Sequence, residues 1–179
     1  MNNKPKKWFT LWLTWLSWAG KSTVADNLYT LLKEKWFVHI ERLDWDIVRE
    51  NLTKDLGFTK EDRKTNLERV AFVAKLLSRN WVWVLSTFIS PYESERTMVK
   101  NHVTNYIEVF INASLEVCEW RDIKGLYKKA REWIIPNFTG ISDPYEKPIH
   151  PHVVLNTWEE SIDESVEKVY SYLVDNWYI

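Results

Sequence analysis

Glycine is nearly missing from this chain. It occurs 4 times in 179 residues, where ordinary usage of about 7% predicts roughly 12. Cysteine is rarer still. The single Cys118 can form no intramolecular disulfide, which excludes a disulfide-stapled secreted scaffold and a multi-cysteine zinc site and makes the cytosol the default compartment. Neither sign of charge is in excess: 24 Lys and Arg face 25 Asp and Glu, so the strong basic field of a general polyanion binder is excluded. Long apolar runs are lacking too. Residues 8–19 follow Lys4, Lys6 and Lys7 in the manner of a leader peptide, but they contain Thr10, Thr14 and Ser17 and fall short of the roughly 20 residues of a membrane span. They read as a buried strand feeding a loop. At about 150 residues per domain, residues 1–179 predict one domain. What is present in surplus is tryptophan, 12 residues.

Apolar runs bounded by charged or turn-forming residues predict strands over 9–14, 37–43, 82–87, 106–111 and 153–155. Helical spacing of apolar residues predicts helices over 22–35, 61–79, 93–102, 115–121 and 161–174. Such alternation implies an α/β fold, a three-layer sandwich with a central parallel sheet of about five strands. Ligands in these sheets sit at the carboxyl ends of the strands. Residues 124–151, basic and then rich in Pro, Gly and Asn, read as a mobile lid over that edge.

Three strand ends carry chemistry. Trp15, Leu16, Ser17, Trp18, Ala19, Gly20, Lys21, Ser22 and Thr23 follow a strand and open a helix, the layout of an ATP-binding phosphate loop (P-loop) in all but its first glycine. Backbone N–H groups there cradle phosphates, Lys21 bridges the outer phosphates, and the Ser22 hydroxyl ligands magnesium. A serine-capped helix N-terminus is the plain alternative. Asp44 and Asp46 close the second strand, where carboxylates hold magnesium or take a proton from an attacking hydroxyl; helix capping by Asp46 is the competing reading. Arg63 and Asn66, at i and i+3, share a helix face and are suited to grip an anionic or polar group, or are surface polarity. Pro91 turns the chain after the third strand and presents Ser90 at the same edge.

With these stretches in place, the chain resembles the adenylylsulfate (APS) kinases over nearly its entire length. The resemblance rests on residues 21–23, 49–52, 56–58, 61–63 with Asn66, 72–76, 89–92, 116–119, 121–131 and 138–141. It implies transfer of the γ-phosphoryl of MgATP to the 3′-hydroxyl of adenosine 5′-phosphosulfate, giving 3′-phosphoadenosine 5′-phosphosulfate for sulfate assimilation. ATP and Mg2+ are the implied cofactors, and a cytoplasmic homodimer the implied form. By the same resemblance Phe58 and Phe138 sandwich the acceptor's adenine. Arg49, Arg63 and Asn66 hold its phosphosulfate and ribose, and Asp46, Ile89, Ser90, Lys124 and Asn137 complete the pocket. Lys21, Asp44, Asp46 and Ser90 are the implied catalytic set, with Ser22 and Asp44 on the metal. Ser90 is either a phosphorylated intermediate or a positioning hydroxyl, since in-line transfer needs no covalent step. Residues 124–140 close over both nucleotides, and the loop after 153–157 borders the ATP base. Another small-molecule P-loop kinase and a non-catalytic nucleotide-binding module are the competing readings.

The family has glycine where this chain has Trp15, Trp18 and Trp45, and usually also at Trp8, Trp36, Trp81 and Trp133. Only Trp12 sits where the family itself tends to place tryptophan. Composition extends the suspicion to Trp83, Trp120, Trp158 and Trp177. A left-handed backbone costs a non-glycine residue roughly 1–2 kcal/mol, and indoles at 15 and 18 would crowd an approaching triphosphate. Either the molecule carries glycine at these sites, or it carries tryptophan and is an impaired variant. The first account expects φ > 0 at one or more of positions 15, 18 and 45, with no room there for an indole.

Overall fold

The computed structural model describes residues 7–179; Lys4 and Lys6, on which the leader-peptide reading partly rests, lie outside them. Five strands form one parallel sheet: β1 (Thr10–Thr14), β2 (Ile40–Asp44), β3 (Trp83–Thr87), β4 (Tyr106–Ile111) and β5 (Val153–Leu155), in the order β2-β3-β1-β4-β5. Successive strands lie parallel, so each connection must cross over, and helices fill the crossovers. These are α1 (Lys21–Glu34), α2 (Trp45–Asn51), α3 (Lys60–Arg79), α4 (Glu93–His102), α5 (Leu115–Trp120), α6 (Leu126–Arg131) and α7 (Ile162–Asp175).

Strand alternation divides the core between the two faces of the sheet. Leu11, Leu13, Leu85, Ile107 and Val109 pack with Val24, Leu28, Val169 and Leu173 of α1 and α7. Trp12, Val84 and Tyr106 point the other way, against Val70, Ala74 and Val99 of α3 and α4. Central β1 is buried along its whole length, which is why its five residues carry no charge. No helix among the described residues is long and apolar enough to cross a membrane.

The predicted strands at 106–111 and 153–155 and the helix at 93–102 fall where expected. Differences trace to local geometry. The second strand starts only at Ile40, because Trp36 turns the chain out of α1 and leaves 37–39 irregular. Two short helices, α2 and α6, were not predicted as elements. The second of them lies inside the segment expected to be a lid, which therefore contains one ordered turn pair as well as irregular chain. Its distal part is anchored. Glu146 N donates to Pro91 O at 2.8 Å, Arg96 Nη2 to Glu146 O at 2.7 Å, and Glu93 N to the Glu146 carboxylate at 2.7 Å.

Four helices end in the same way. The residue after the C-cap is Trp36, Trp81, Trp133 or Trp177, with φ of 68°, 63°, 60° and 59°. Its N–H bonds back three residues, and the next N–H bonds back five: Trp36 to Lys33 O and Phe37 to Leu32 O after α1, Trp81 to Ser78 O and Val82 to Leu77 O after α3. Trp133 to Ala130 O and Ile134 to Lys129 O repeat the pair after α6, as do Trp177 to Val174 O and Tyr178 to Leu173 O after α7. This is the Schellman motif, whose left-handed residue is ordinarily glycine.

Candidate active site

The carboxyl ends of β1, β2 and β3 converge on one edge. Between β1 and α1 the loop turns through Trp15 (φ 150°) and Trp18 (φ 61°), and Gly20 (φ 108°) caps α1. The first helical N–H groups therefore point into the cleft, with the partial positive charge of the helix behind them. Lys21 Nζ arcs back across the loop to the carbonyl oxygens of Trp15 at 3.0 Å and Leu16 at 2.6 Å. Burial lowers its pKa to about 8, against smaller upward effects of Cys118 and Asp44.

Asp44 sits at the end of β2 and collects donors. Its Oδ2 accepts from Ser22 Oγ and from Thr87 Oγ1, both at 2.7 Å, and its Oδ1 accepts from Asp46 N at 3.1 Å. Burial alone would raise its pKa, but the bonds from Thr87, Ser22 and Asp46 N–H, with the Arg42 charge 3.7 Å away, carry it below the usual carboxylate value. Asp44 is thus a fixed anion, and it is Asp44, not Asp46, that caps α2. Among the described residues no hydrogen bond or ion pair holds the Asp46 carboxylate.

Two clefts open on this edge. The larger, about 650 Å³, takes in Ser17, Trp18, Gly20, Lys21, Ser22 and Thr23 of the loop, and also Asp44, Asp46, Thr87, Arg121, Lys124 and Thr157. Its far wall is braced by long-range bonds: Thr157 Oγ1 donates to Ala19 O at 2.8 Å, and Arg121 Nη2 to Thr157 O at 2.5 Å. The smaller cleft, about 330 Å³, is lined by Phe58, Arg63, Asn66, Ile89, Ser90, Asn137 and Phe138. Ser17, Trp45, Ile89 and Leu126 border both. The clefts are neighbours with a common boundary at the phosphate loop.

Of the residues expected around the acceptor, seven line the smaller cleft. Asp46 and Lys124 line the larger one instead. Arg49 lines neither; its guanidinium lies 4.8 Å from the Phe58 ring centre and 5.5 Å from that of Trp45, and bonds to the carbonyls of Leu56 and Gly57. Arg63 reaches across to the segment 124–151, bonding Thr139 Oγ1 at 2.8 Å and the Asn137 carbonyl and pairing with Asp143 at 3.1 Å. Asn66 is 2% exposed, with its Oδ1 unpartnered among the described residues, so it retains acceptor capacity toward a ligand in the cleft. Ser90 is buried, and Trp12 Nε1 donates to its Oγ at 2.8 Å.

Residues the sequence reading passed over also shape the site. Thr87 and Arg121 act through contacts 43 and 36 residues distant, which no local pattern reveals. Tyr145 ties the far end of the segment 124–151 to β1, its hydroxyl 2.6 Å from Thr14 Oγ1.

The indole expectation is partly overturned. Positions 15 and 18 have φ > 0, as expected, whereas Trp45 opens α2 in helical conformation. At position 15 there is room for a ring: the Trp15 indole is 6% exposed, edge-on to Phe110 and Tyr145, with Nε1 donating to Ala113 O at 2.7 Å. At 45 the indole packs against Phe58 and Phe88.

The family model for adenylylsulphate kinase matches residues 7–156. The chain belongs to the adenylylsulphate kinase family. A probable adenylyl-sulfate kinase of Pseudomonas aeruginosa is 58% identical over 161 residues, which span 90% of this chain and 75% of that protein. The adenylyl-sulfate kinase of Halothermothrix orenii is 53% identical over 97% of this chain and 94% of its own. Among solved structures, the Mycobacterium tuberculosis APS kinase in complex with AMPPNP and APS superposes with a TM-score of 0.89 at 40% identity, covering 95% of this chain and 99% of that one. A gluconokinase of Sinorhizobium meliloti, 13% identical at a TM-score of 0.63, shares the fold alone. As a member of this kinase family the chain is an ATP-dependent phosphotransferase acting on a hydroxyl group.

Proposed function

We propose that MgATP occupies the larger cleft and adenosine 5′-phosphosulfate the smaller, and that the γ-phosphoryl passes to the 3′-hydroxyl across their shared boundary. The observation that carries this reading is that boundary: the phosphate loop residue Ser17 and the strand-end residue Ile89 border both clefts. Phosphoryl transfer asks little covalent chemistry of a protein; positioning and charge stabilisation suffice.

The residues divide the work. The α1 N-terminus and Lys21 bind the phosphates. Ser22 Oγ and the Asp44 carboxylate, hard oxygen donors 2.7 Å apart, fit magnesium, and they would hold it. Among the described residues no group of three or more His, Cys, Asp or Glu forms a metal cage, in keeping with an ion that keeps water and phosphate ligands. A magnesium ion held by Ser22 and Asp44 would supply neutralisation of the charge that develops on the phosphoryl oxygens. Asp44, saturated with donors, is a poor proton acceptor. Asp46 orients the acceptor hydroxyl and takes its proton. Phe58 and Phe138 stack on the adenine, Asn66 and Arg63 read ribose and anion, and Arg49 stiffens the Phe58 wall. Ser90 is a positioning residue. Residues 124–151 serve as the lid that excludes water; the whole acts as one kinase domain, as a homodimer in the cytoplasm.

Calorimetry tests the two-cleft arrangement. One equivalent of APS and one of AMPPNP are expected to bind together, each saturating without displacing the other. Mutual displacement would overturn the reading.

A further inference from the structure

We infer that the enzyme as its own cell makes it carries glycine at positions 15, 18, 36, 81, 133 and 177, because that cell decodes as glycine a codon written here as tryptophan. The inference concerns residue identity and stands apart from the choice of substrate.

Backbone conformation carries it. Among the described residues, nine non-glycine residues have φ between +45° and +150°; three are Ser90, Asn105 and Asn137, and the other six are all tryptophan. Asparagine tolerates this region through local hydrogen bonding of its side chain. Tryptophan has no such device. A bulky residue there is an outlier, and half of the chain's 12 tryptophans occupy it.

The placement is as regular as the conformation. Trp36, Trp81, Trp133 and Trp177 each fill the left-handed position of a Schellman motif, with both of its backbone bonds present every time. That position is the one glycine most often holds at a helix end. Burial does not offset the strain, for the four rings are 88%, 67%, 76% and 56% exposed. Trp15 and Trp18 sit in the phosphate loop, where glycine lets backbone approach phosphate closely. At 15 the ring is packed, so the case there rests on φ alone.

Trp12 supplies the internal control. It lies in β1 with no positive φ, is fully buried, stacks on Phe88 at 5.4 Å and donates to Ser90. Independent mutations would not seek out left-handed positions in six places and spare this one. Reassignment of one codon would. UGA is the natural candidate, since genetic codes differ in reading it as stop, tryptophan or glycine.

The gene and its protein test this separately. In the nucleotide sequence the six positions are expected to share one codon, and Trp12 to use another; the same codon at Trp12 and at all six would overturn the inference. In the enzyme isolated from its own cell, the tryptic peptide 36–42, cut after Lys35 and Arg42, is expected to begin with glycine, and a tryptophan there would overturn it equally. A chain made with Trp→Gly at all six positions is expected to melt on the order of 10 °C or more above the chain as written. Equal melting temperatures would contradict the strain on which the inference stands.

Discussion

Trp12 Nε1 donates a 2.8 Å hydrogen bond to Ser90 Oγ, linking central β1 to the loop after β3. The same loop is held twice more, by Thr14 Oγ1 donating to Ile89 O at 2.5 Å and Arg96 Nη1 donating to Ser90 O at 2.9 Å. Ser90 itself is 2% exposed at φ 47°. Its burial and its bond from Trp12 support the proposal that the hydroxyl holds the wall of the smaller cleft and does not receive a phosphoryl group. Trp12→Phe removes one buried bond of about 1 kcal/mol and is expected to raise the acceptor KM about fivefold with kcat little changed. Ser90→Ala is expected to keep more than a tenth of parental kcat/KM, and peptide mass spectrometry after turnover to find no phosphate on Ser90. A stoichiometric phosphoserine would reverse that assignment.

Asp44→Asn removes the anion while leaving an oxygen for Ser22 and Thr87. Turnover is expected to fall by about 10²-fold or more, the scale on which removal of one preorganised electrostatic group acts on a transition state, with the fold retained by circular dichroism. Asp46→Asn is expected to lower kcat by about 10²–10⁴-fold and to leave AMPPNP affinity within a few-fold. The contrast between the two in nucleotide binding separates a metal-holding carboxylate from a proton-accepting one.

Phe58→Ala takes away one face of the proposed adenine stack. Loss of about 1–3 kcal/mol of base stacking corresponds to an acceptor KM raised roughly 5- to 150-fold, with the KM for ATP unchanged. A rise in the KM for ATP with the acceptor KM unchanged would place Phe58 against the other nucleotide and contradict the stack.

Lys21 gives the pH dependence. Its folded pKa, pushed by burial from 10.5 down to about 8, means that the cationic form needed for phosphate is lost as pH rises through 8. Nucleotide-free enzyme is accordingly expected to lose ATP affinity above about pH 8, by up to roughly tenfold per pH unit. The sign for stability is opposite: the unfolded chain binds more protons between 8 and 10.5, so this group's contribution to stability grows with pH over that window. Titration calorimetry with AMPPNP from pH 7 to 9.5 reads the first, and denaturant melts the second. A flat affinity profile would show that Lys21 stays charged throughout.

Much of this was legible from residues alone. Strand, loop and helix around 10–34 follow from apolar alternation and the Gly20-Lys21-Ser22 end, and β4 and β5 from their apolar runs. The clustering of Phe58, Arg63, Asn66 and Phe138 in one cleft came from resemblance, since nothing local brings positions 58 and 138 together. Helices α2 and α6 were not predicted as elements: the first entered only as possible capping by Asp46, and the second lay inside the segment read as a lid. That Asp44 and not Asp46 caps α2 was invisible for a different reason: only the fold shows which carboxylate accepts from the helix and that Thr87 and Ser22 both reach Asp44. Arg49 likewise reads as an anion ligand in sequence, while the structure lays it against Phe58.

The central claim is phosphoryl transfer to adenosine 5′-phosphosulfate, and γ-labelled MgATP tests it most directly. The enzyme, made with glycine at the six left-handed positions, is offered adenosine 5′-phosphosulfate, gluconate and shikimate in separate reactions. Label is expected to appear on the 3′-hydroxyl of the first and on neither of the others. Transfer to gluconate or shikimate with none to adenosine 5′-phosphosulfate would contradict the account.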